Sequence, residues 1–226
     1  MAVTFALLAA TGAPGAEREF DNRGPLAPGR MPVFFEHNAG QTDSSVRFLA
    51  RQGDLMVWIT ADEIVFGLGE RGSELARART LKARGRRDPL PDRESRRSIV
   101  RMRLSGANQA PRVEGLDPLP GVSHYLIGDP ASWRTHVRHY ARVAYRDVYP
   151  GIDLVFHSRN GKLEYDFEVS AGADETKIEL VFEGMNSAGV EKNGHLVMKV
   201  GGGELRHGQP TSLEGDGASS RVLQTR

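Results

Sequence analysis

The chain has 226 residues, 30 Lys+Arg against 29 Asp+Glu, and no cysteine. That length allows one large or two small domains; the near-zero charge balance excludes a global polyanion-binding field, and the missing cysteines exclude disulfides and thiolate metal sites. Hydrophobic residues at 39%, with 26 Gly and 12 Pro, mark a turn-rich globular protein rather than a disordered one.

Residues 1–16, MAVTFALLAATGAPGA, place an apolar run over 2–10 ahead of small residues, the form of a signal-peptide h-region and cleavage zone. A basic n-region is missing, so the start reads as truncated or mis-assigned. The run is too short to span a bilayer, and no other transmembrane candidate follows. Residues 17–31 are polar and rich in Pro and Gly, which predicts a linker.

From residue 32 the pattern becomes that of short strands: 33–35, 46–50, 55–60 and 64–68, with a turn-rich connection over 38–45 that includes Asn38 and Gly40. Residues 71–97 differ in kind. They carry ten Lys/Arg against four Asp/Glu and no aromatic residue, so they lack the stacking groups of a nucleic-acid reader and are expected to form a solvated, disordered insertion. Part of it, 74–83, could form a short helix.

Order resumes with strands at 98–104 and 112–115. Asp117-Pro118-Leu119-Pro120-Gly121 predicts a loop, and Gly128-Asp129-Pro130 a second break. Trp133 reads as a packing anchor. His136 and His139 stand three apart, a spacing that could serve a metal on a helix, but the β-branched neighbours argue against one. Tyr149-Pro150-Gly151 suits a type II turn, which splays paired strands and so predicts a corner rather than a tight hairpin.

Residues 143–169 are the most fully determined stretch. Asn160-Gly161 is a type I′ hairpin signal, because both central residues must take positive φ. Counting outward pairs Phe156 with Tyr165, Leu154 with Phe167 and Ile152 with Val169 on an apolar face. The other face pairs His157 with Glu164, Val155 with Asp166 and Asp153 with Glu168. A one-residue slip would expose every apolar side chain, so the pattern sets the register. Like charges across a ladder need a neutraliser. Arg142 or Arg146 on the preceding strand is one; Ca²⁺ held by Asp153, Asp166 and Glu168 is another, since hard oxygen ligands suit it. Beyond the hairpin, Ile178, Leu180 and Phe182 share a face, and Asn193-Gly194 joins residues 188–191 to 195–200.

Together these elements predict an all-β fold, an antiparallel β-sandwich-like domain over 32–212 interrupted by the basic insertion, with a polar, Gly-rich tail over 213–226 that forms no good strand. Two small β domains divided at the insertion are the alternative, but about forty residues make a thin core without disulfides.

Several ordered motifs carry a resemblance. Phe35-Glu36-His37-Asn38-Ala39-Gly40-Gln41, Val113-Glu114-Gly115-Leu116, Ser123-His124-Tyr125-Leu126-Ile127-Gly128 with Trp133-Arg134-Thr135, and the YPGID and LEYDF runs between Tyr145 and Asp166 stand in order. Over residues 32–212 the chain resembles the uncharacterised N-terminal domain of bacterial proteins with SBBP (β-propeller-type) repeats. His124 stands where that motif usually has Asn. The resemblance implies an extracellular or cell-surface location, a β-rich fold, and propeller-type repeats downstream in a full-length form, of which this chain reads as a fragment. It implies no activity and carries no catalytic residue over.

Two functions from different classes remain. One is a non-catalytic exported module that contacts an extracellular polysaccharide or a surface protein. The other is a glycan-active hydrolase working through Asp153, Glu164, Asp166 and Glu168, since cross-strand carboxyls approach the separation retaining glycosidases use.

Overall fold

The computed structural model describes residues 2–10, 33–69, 97–201, 203–209, 211–214 and 219–222. The expected linker at 17–31, the possible helix at 74–83 and all of the basic insertion except Arg97 lie outside the described residues. The described chain is all-β and antiparallel, as the alternation predicts. Its strands are β1 (Ala2–Ala10), β2 (Phe35–His37), β3 (Phe48–Gln52), β4 (Leu55–Ile59), β5 (Ile64–Gly69), β6 (Arg97–Leu104), β7 (Arg112–Tyr125) and β8 (Arg134–Tyr149). They continue as β9 (Ile152–Arg159), β10 (Lys162–Val169), β11 (Leu180–Glu183), β12 (Ser187–Val190), β13 (Leu196–Val200), β14 (Gly203–His207), β15 (Thr211–Glu214) and β16 (Ser219–Val222).

One sheet contains them all, in the order β11-β6-β5-β4-β3-β2-β8-β9-β10-β1-β14-β13-β12, with β7 added to β8 and the β15–β16 pair added to β1. The two ends of this path, β11 and β12, are consecutive in sequence and joined by residues 184–186 alone. Three residues reach about 14 Å at most, so the sheet must curl until its ends meet. The layers that face each other are therefore two halves of one curled sheet. β5 pairs directly with β6, with Phe66 opposite Val100, so the sheet is continuous from one side of the insertion to the other. Gly69 and Arg97, the described residues on either side of 70–96, are paired with each other.

The core fills the inside of the curl. Phe35, Phe66, Met102, Leu154, Phe156, Tyr165, Phe167, Met198 and Leu205 are fully buried in a single cluster; each large apolar side chain there contributes about 1.5–3 kcal/mol. Buried hydroxyls find partners: Tyr145 donates to the Thr60 carbonyl and Tyr149 to that of Ser105, both at 2.8 Å.

The β9–β10 hairpin has the predicted register at every pair, from His157–Glu164 to Ile152–Val169, and Asn160 (φ 53°) and Gly161 (φ 71°) take the left-handed conformations of the turn. Three expectations need correction. Pro150-Gly151 is a tight connection with Tyr149 paired to Ile152, not a corner; the splay of the turn is absorbed by a register shift between Tyr145 and Tyr149, where Asp147 has φ 52°. Residues 117–121 are not a loop. They belong to β7, which among the described residues pairs only with β8; an edge strand can hold Pro118 and Pro120 without breaking a ladder on both sides, and the register shifts between Leu119 and Val122 around Pro120. Finally, Thr211–Glu214 and Ser219–Val222 in the polar tail pair with each other, since ladder hydrogen bonds at a sheet margin need no apolar side chain.

Candidate functional site

β8 is longer than the sheet beside it. Its residues 142–149 pair with β9, and His139 and Tyr140 with β2; from Arg134 to Arg138 it pairs, among the described residues, only with β7. The outer part of β7–β8 is thus a two-stranded arm. Along it stand Leu119, Val122, Leu126, Ile127 and Trp133, all exposed, with Ile127 at 74%. The tip is ordered from within. Asp129 accepts the Ala131 N–H at 2.9 Å, Ser132 donates to the Asp129 carbonyl at 2.7 Å, and Gly128 turns the chain at φ 74°. Polar groups are consumed by the turn, and the aliphatic ones are left facing solvent.

A bare ribbon of two strands is marginal in water; this one is tied back to β2 and β3 at its outer end, where Tyr125 closes β7 opposite Arg134. Glu36 on β2 is buried at 3% exposure. One carboxylate oxygen accepts from Arg51 at 2.6 Å and the other accepts the Tyr125 hydroxyl in a short hydrogen bond, while Arg51 also donates to the Tyr125 oxygen at 3.0 Å. Burial and the Glu36 hydrogen bond raise the Tyr125 pKa, keeping its proton on the bond. Beside it, Ser123 Oγ and His139 Nε2 are 2.8 Å apart, and the His139 ring stacks on Phe34 with centroids 4.1 Å apart. Burial lowers the His139 pKa, opposed by the Glu36 charge, so the neutral imidazole is favoured. A serine beside a neutral histidine is the start of a nucleophile–base pair, but the carboxylate that would orient the base is held by Arg51 and Tyr125. The geometry is that of a clamp.

The other sequence-marked residues fall around it. Asn38 donates to the Asp43 and Val46 carbonyls at 2.7 and 2.9 Å and accepts the Gly40 N–H at 3.0 Å, which folds the 38–46 loop. Gly40, at φ 97°, lies where a Cβ would sit 2.8 Å from Arg134 Nε, so the loop closes against the arm. Trp133 donates weakly to the Gly128 carbonyl at 3.4 Å. His136 and His139, three apart on a strand, point to opposite faces: His136 meets His124 at 4.9 Å between ring centroids, and His139 meets Ser123. Sequence reasoning passed over Glu36, Arg51, Ser123, Tyr125 and His139 as a group. The signal was present in part, because Glu36, Ser123 and Tyr125 belong to separate motifs that converge here.

The acidic face of the hairpin is neutralised by the predicted kind of partner. Arg146 donates to Asp153 at 2.7 Å and to Glu114 at 2.8 Å, and Asp153 also accepts the Asp147 N–H at 2.7 Å. Both carboxylates raise the Arg146 pKa. Arg142 goes to Asp117 instead. Asp166 lies 3.0 Å from His157 Nε2, with its second oxygen buried and without a hydrogen bond. Glu164 is buried, which raises its pKa, and sits 3.4 Å from Arg159. Glu168 is exposed. Among the described residues no three His, Asp or Glu side chains are grouped to hold a metal ion, and Asp153, Asp166 and Glu168 do not converge as a set.

Among the described residues no helix is long and apolar enough to cross a membrane. A family model described as a domain of unknown function (DUF7948) matches residues 35–223. Nothing matches among the curated proteins or the solved structures.

Proposed function

We propose, for a chain that belongs to the DUF7948 family of domains of unknown function, that it is a non-catalytic, exported or cell-surface binding module that meets a partner protein through the outer end of its arm. The observation that carries this reading is the group of exposed side chains Leu119, Val122, Leu126, Ile127 and Trp133, along the outer part of β7 and the turn that joins it to β8. Large apolar groups clustered on an ordered projection mark an interaction surface, and aliphatics favour a protein face over a sugar, which is stacked chiefly by aromatic rings. Export rests on the leader-like composition of residues 2–10, and a place ahead of propeller-type repeats rests on the resemblance of the motifs.

Glycan hydrolysis has less support, since Asp153, Glu164 and Asp166 each lie against a basic side chain. The test is a photo-crosslinking residue at position 127 of the intact protein in its native cells. A discrete protein adduct, lost when Trp133→Ser is combined with Leu126→Ser, supports the reading. Adducts with glycan alone, or none, overturn it; reducing ends released from a polysaccharide panel would move the protein to the hydrolase class.

A further inference from the structure

The strand at the middle of the β10-β1-β14 order is the one strand of that run that lies outside the family-matched stretch. Ala2–Ala10 pairs along one edge with β10, from Ala2–Glu168 to Leu7–Leu163. Along its other edge it pairs with β14, from Leu7–His207 to Ala10–Glu204, and with β15 at residues 2–4. The family match begins only at residue 35. Within the matched stretch, β10 and β14 are thus neighbours of a third strand that lies outside it.

β1 is antiparallel to both, so β10 and β14 run parallel to each other and are not joined by a hairpin that would draw them together. Without an intervening strand, both would present backbone N–H and C=O groups beside buried side chains, with Leu163, Tyr165, Phe167 and Leu205 at 0% exposure. Buried backbone groups left unpaired in this way are costly. Tyr165 and His207 meet by hydrogen bond across the strand position, which sets its width to one strand. We infer that the position between β10 and β14 is a strand-acceptor slot, held in cis by residues 2–10 and open in trans to an extended, uncharged apolar peptide once that segment leaves. The chemistry of the occupant follows from AVTFALLAA, which has no charged residue, and the mode is strand addition, in which ladder bonds give affinity and alternate side chains give specificity. This stands independently of the arm.

The test uses the full chain with a protease site inserted between Phe20 and Asp21, cut after folding. The probe is a fluorescent AVTFALLAA peptide with a solubilising tail, compared with the same peptide carrying Pro at the Thr4 and Leu7 positions. The expected result is saturable, one-to-one uptake of the probe, binding of the proline peptide weaker by about tenfold or more because two ladder donors are lost, and renewed amide protection over residues 163–168 and 204–207. If release of 2–10 unfolds the chain, refolding that succeeds only with the probe supports the slot, and refolding that fails with it overturns it. A cut chain that loses 2–10 yet keeps full protection in β10 and β14, or that binds both peptides equally, overturns it as well.

Discussion

The Tyr125 hydroxyl donates to the Glu36 carboxylate across 89 residues of chain, and Arg51 bonds to both. The three groups tie the outer end of the arm to β2 and β3, so the orientation of the exposed tip, which starts at Leu126, depends on a buried charge bonded to the residue before it. Tyr125→Phe removes one hydrogen bond to a charged acceptor and is expected to cost about 1–2 kcal/mol in urea unfolding. Glu36→Gln leaves Arg51 without its counter-ion and costs a similar amount. In a double-mutant cycle the two should couple by about 0.5–2 kcal/mol. Amide exchange over residues 122–138 should rise in each variant while that of β9–β10 does not.

Gly115 on β7 lies beneath the Tyr140 ring, and a Cβ there would come within 2.6 Å of it. Tyr140 in turn packs edge-on against Phe48, with centroids 5.7 Å apart, so the ring cannot withdraw freely. Gly115→Val is expected to destabilise by about 2–3 kcal/mol, in the range of overpacked interiors. The same change in a Tyr140→Leu background should cost much less, and equal costs in the two backgrounds would show that the ring is not the obstacle.

Asp153 shares Arg146 with Glu114 and also caps the Asp147 amide. With this partner in place, millimolar calcium should leave the melting temperature of the protein unchanged, and Asp153→Asn should lower stability by about 1–2 kcal/mol, more than an exposed pair would. Arg146→Met reverses the situation by leaving Glu114 and Asp153 unneutralised; calcium should then recover part of the loss. A calcium-induced rise in the unaltered protein would instead reveal a cation site.

The β9–β10 hairpin was legible to the residue because three independent constraints agree there: a turn with obligatory positive φ, alternation on both strands, and a face that burial forbids to slip. Arg146 was legible for a related reason, since like charges opposite each other require a neutraliser within one strand's reach. Where the constraints act at long range, the residues are silent. Pro118 and Pro120 read as loop because nothing local says that β7 is an edge, and only the strand order makes them tolerable. Pro150-Gly151 read as a corner because the compensating bulge at Asp147 depends on Asp153 taking its amide. Glu36 read as one letter of a motif, since its partners stand 15 and 89 residues away.

His207 gives the fold its clearest dependence on pH. It is 5% exposed on β14 and hydrogen-bonded to Tyr165, with Phe182 edge-on at 5.7 Å. Burial holds its pKa down to about 4, with His195 adding to the effect and the Gly208 backbone opposing it. An unfolded chain protonates the same ring near 6.5. Between those values the unfolded state binds the extra proton and the folded state does not, so stability is full above about 6.5, falls as the pH drops, and stops falling near 4. Over that window the loss should approach about 3 kcal/mol. Glu164 acts with the opposite sign: burial raises its pKa, so the folded state takes up its proton first and gains stability as the pH falls toward the ordinary carboxylate value. The two effects overlap in the acid range, and variants separate them. His207→Gln, which can still bond to Tyr165, should flatten the urea-measured stability profile between pH 4 and 6.5, whereas Glu164→Gln should steepen it. A profile unchanged by His207→Gln would place the acid sensitivity elsewhere.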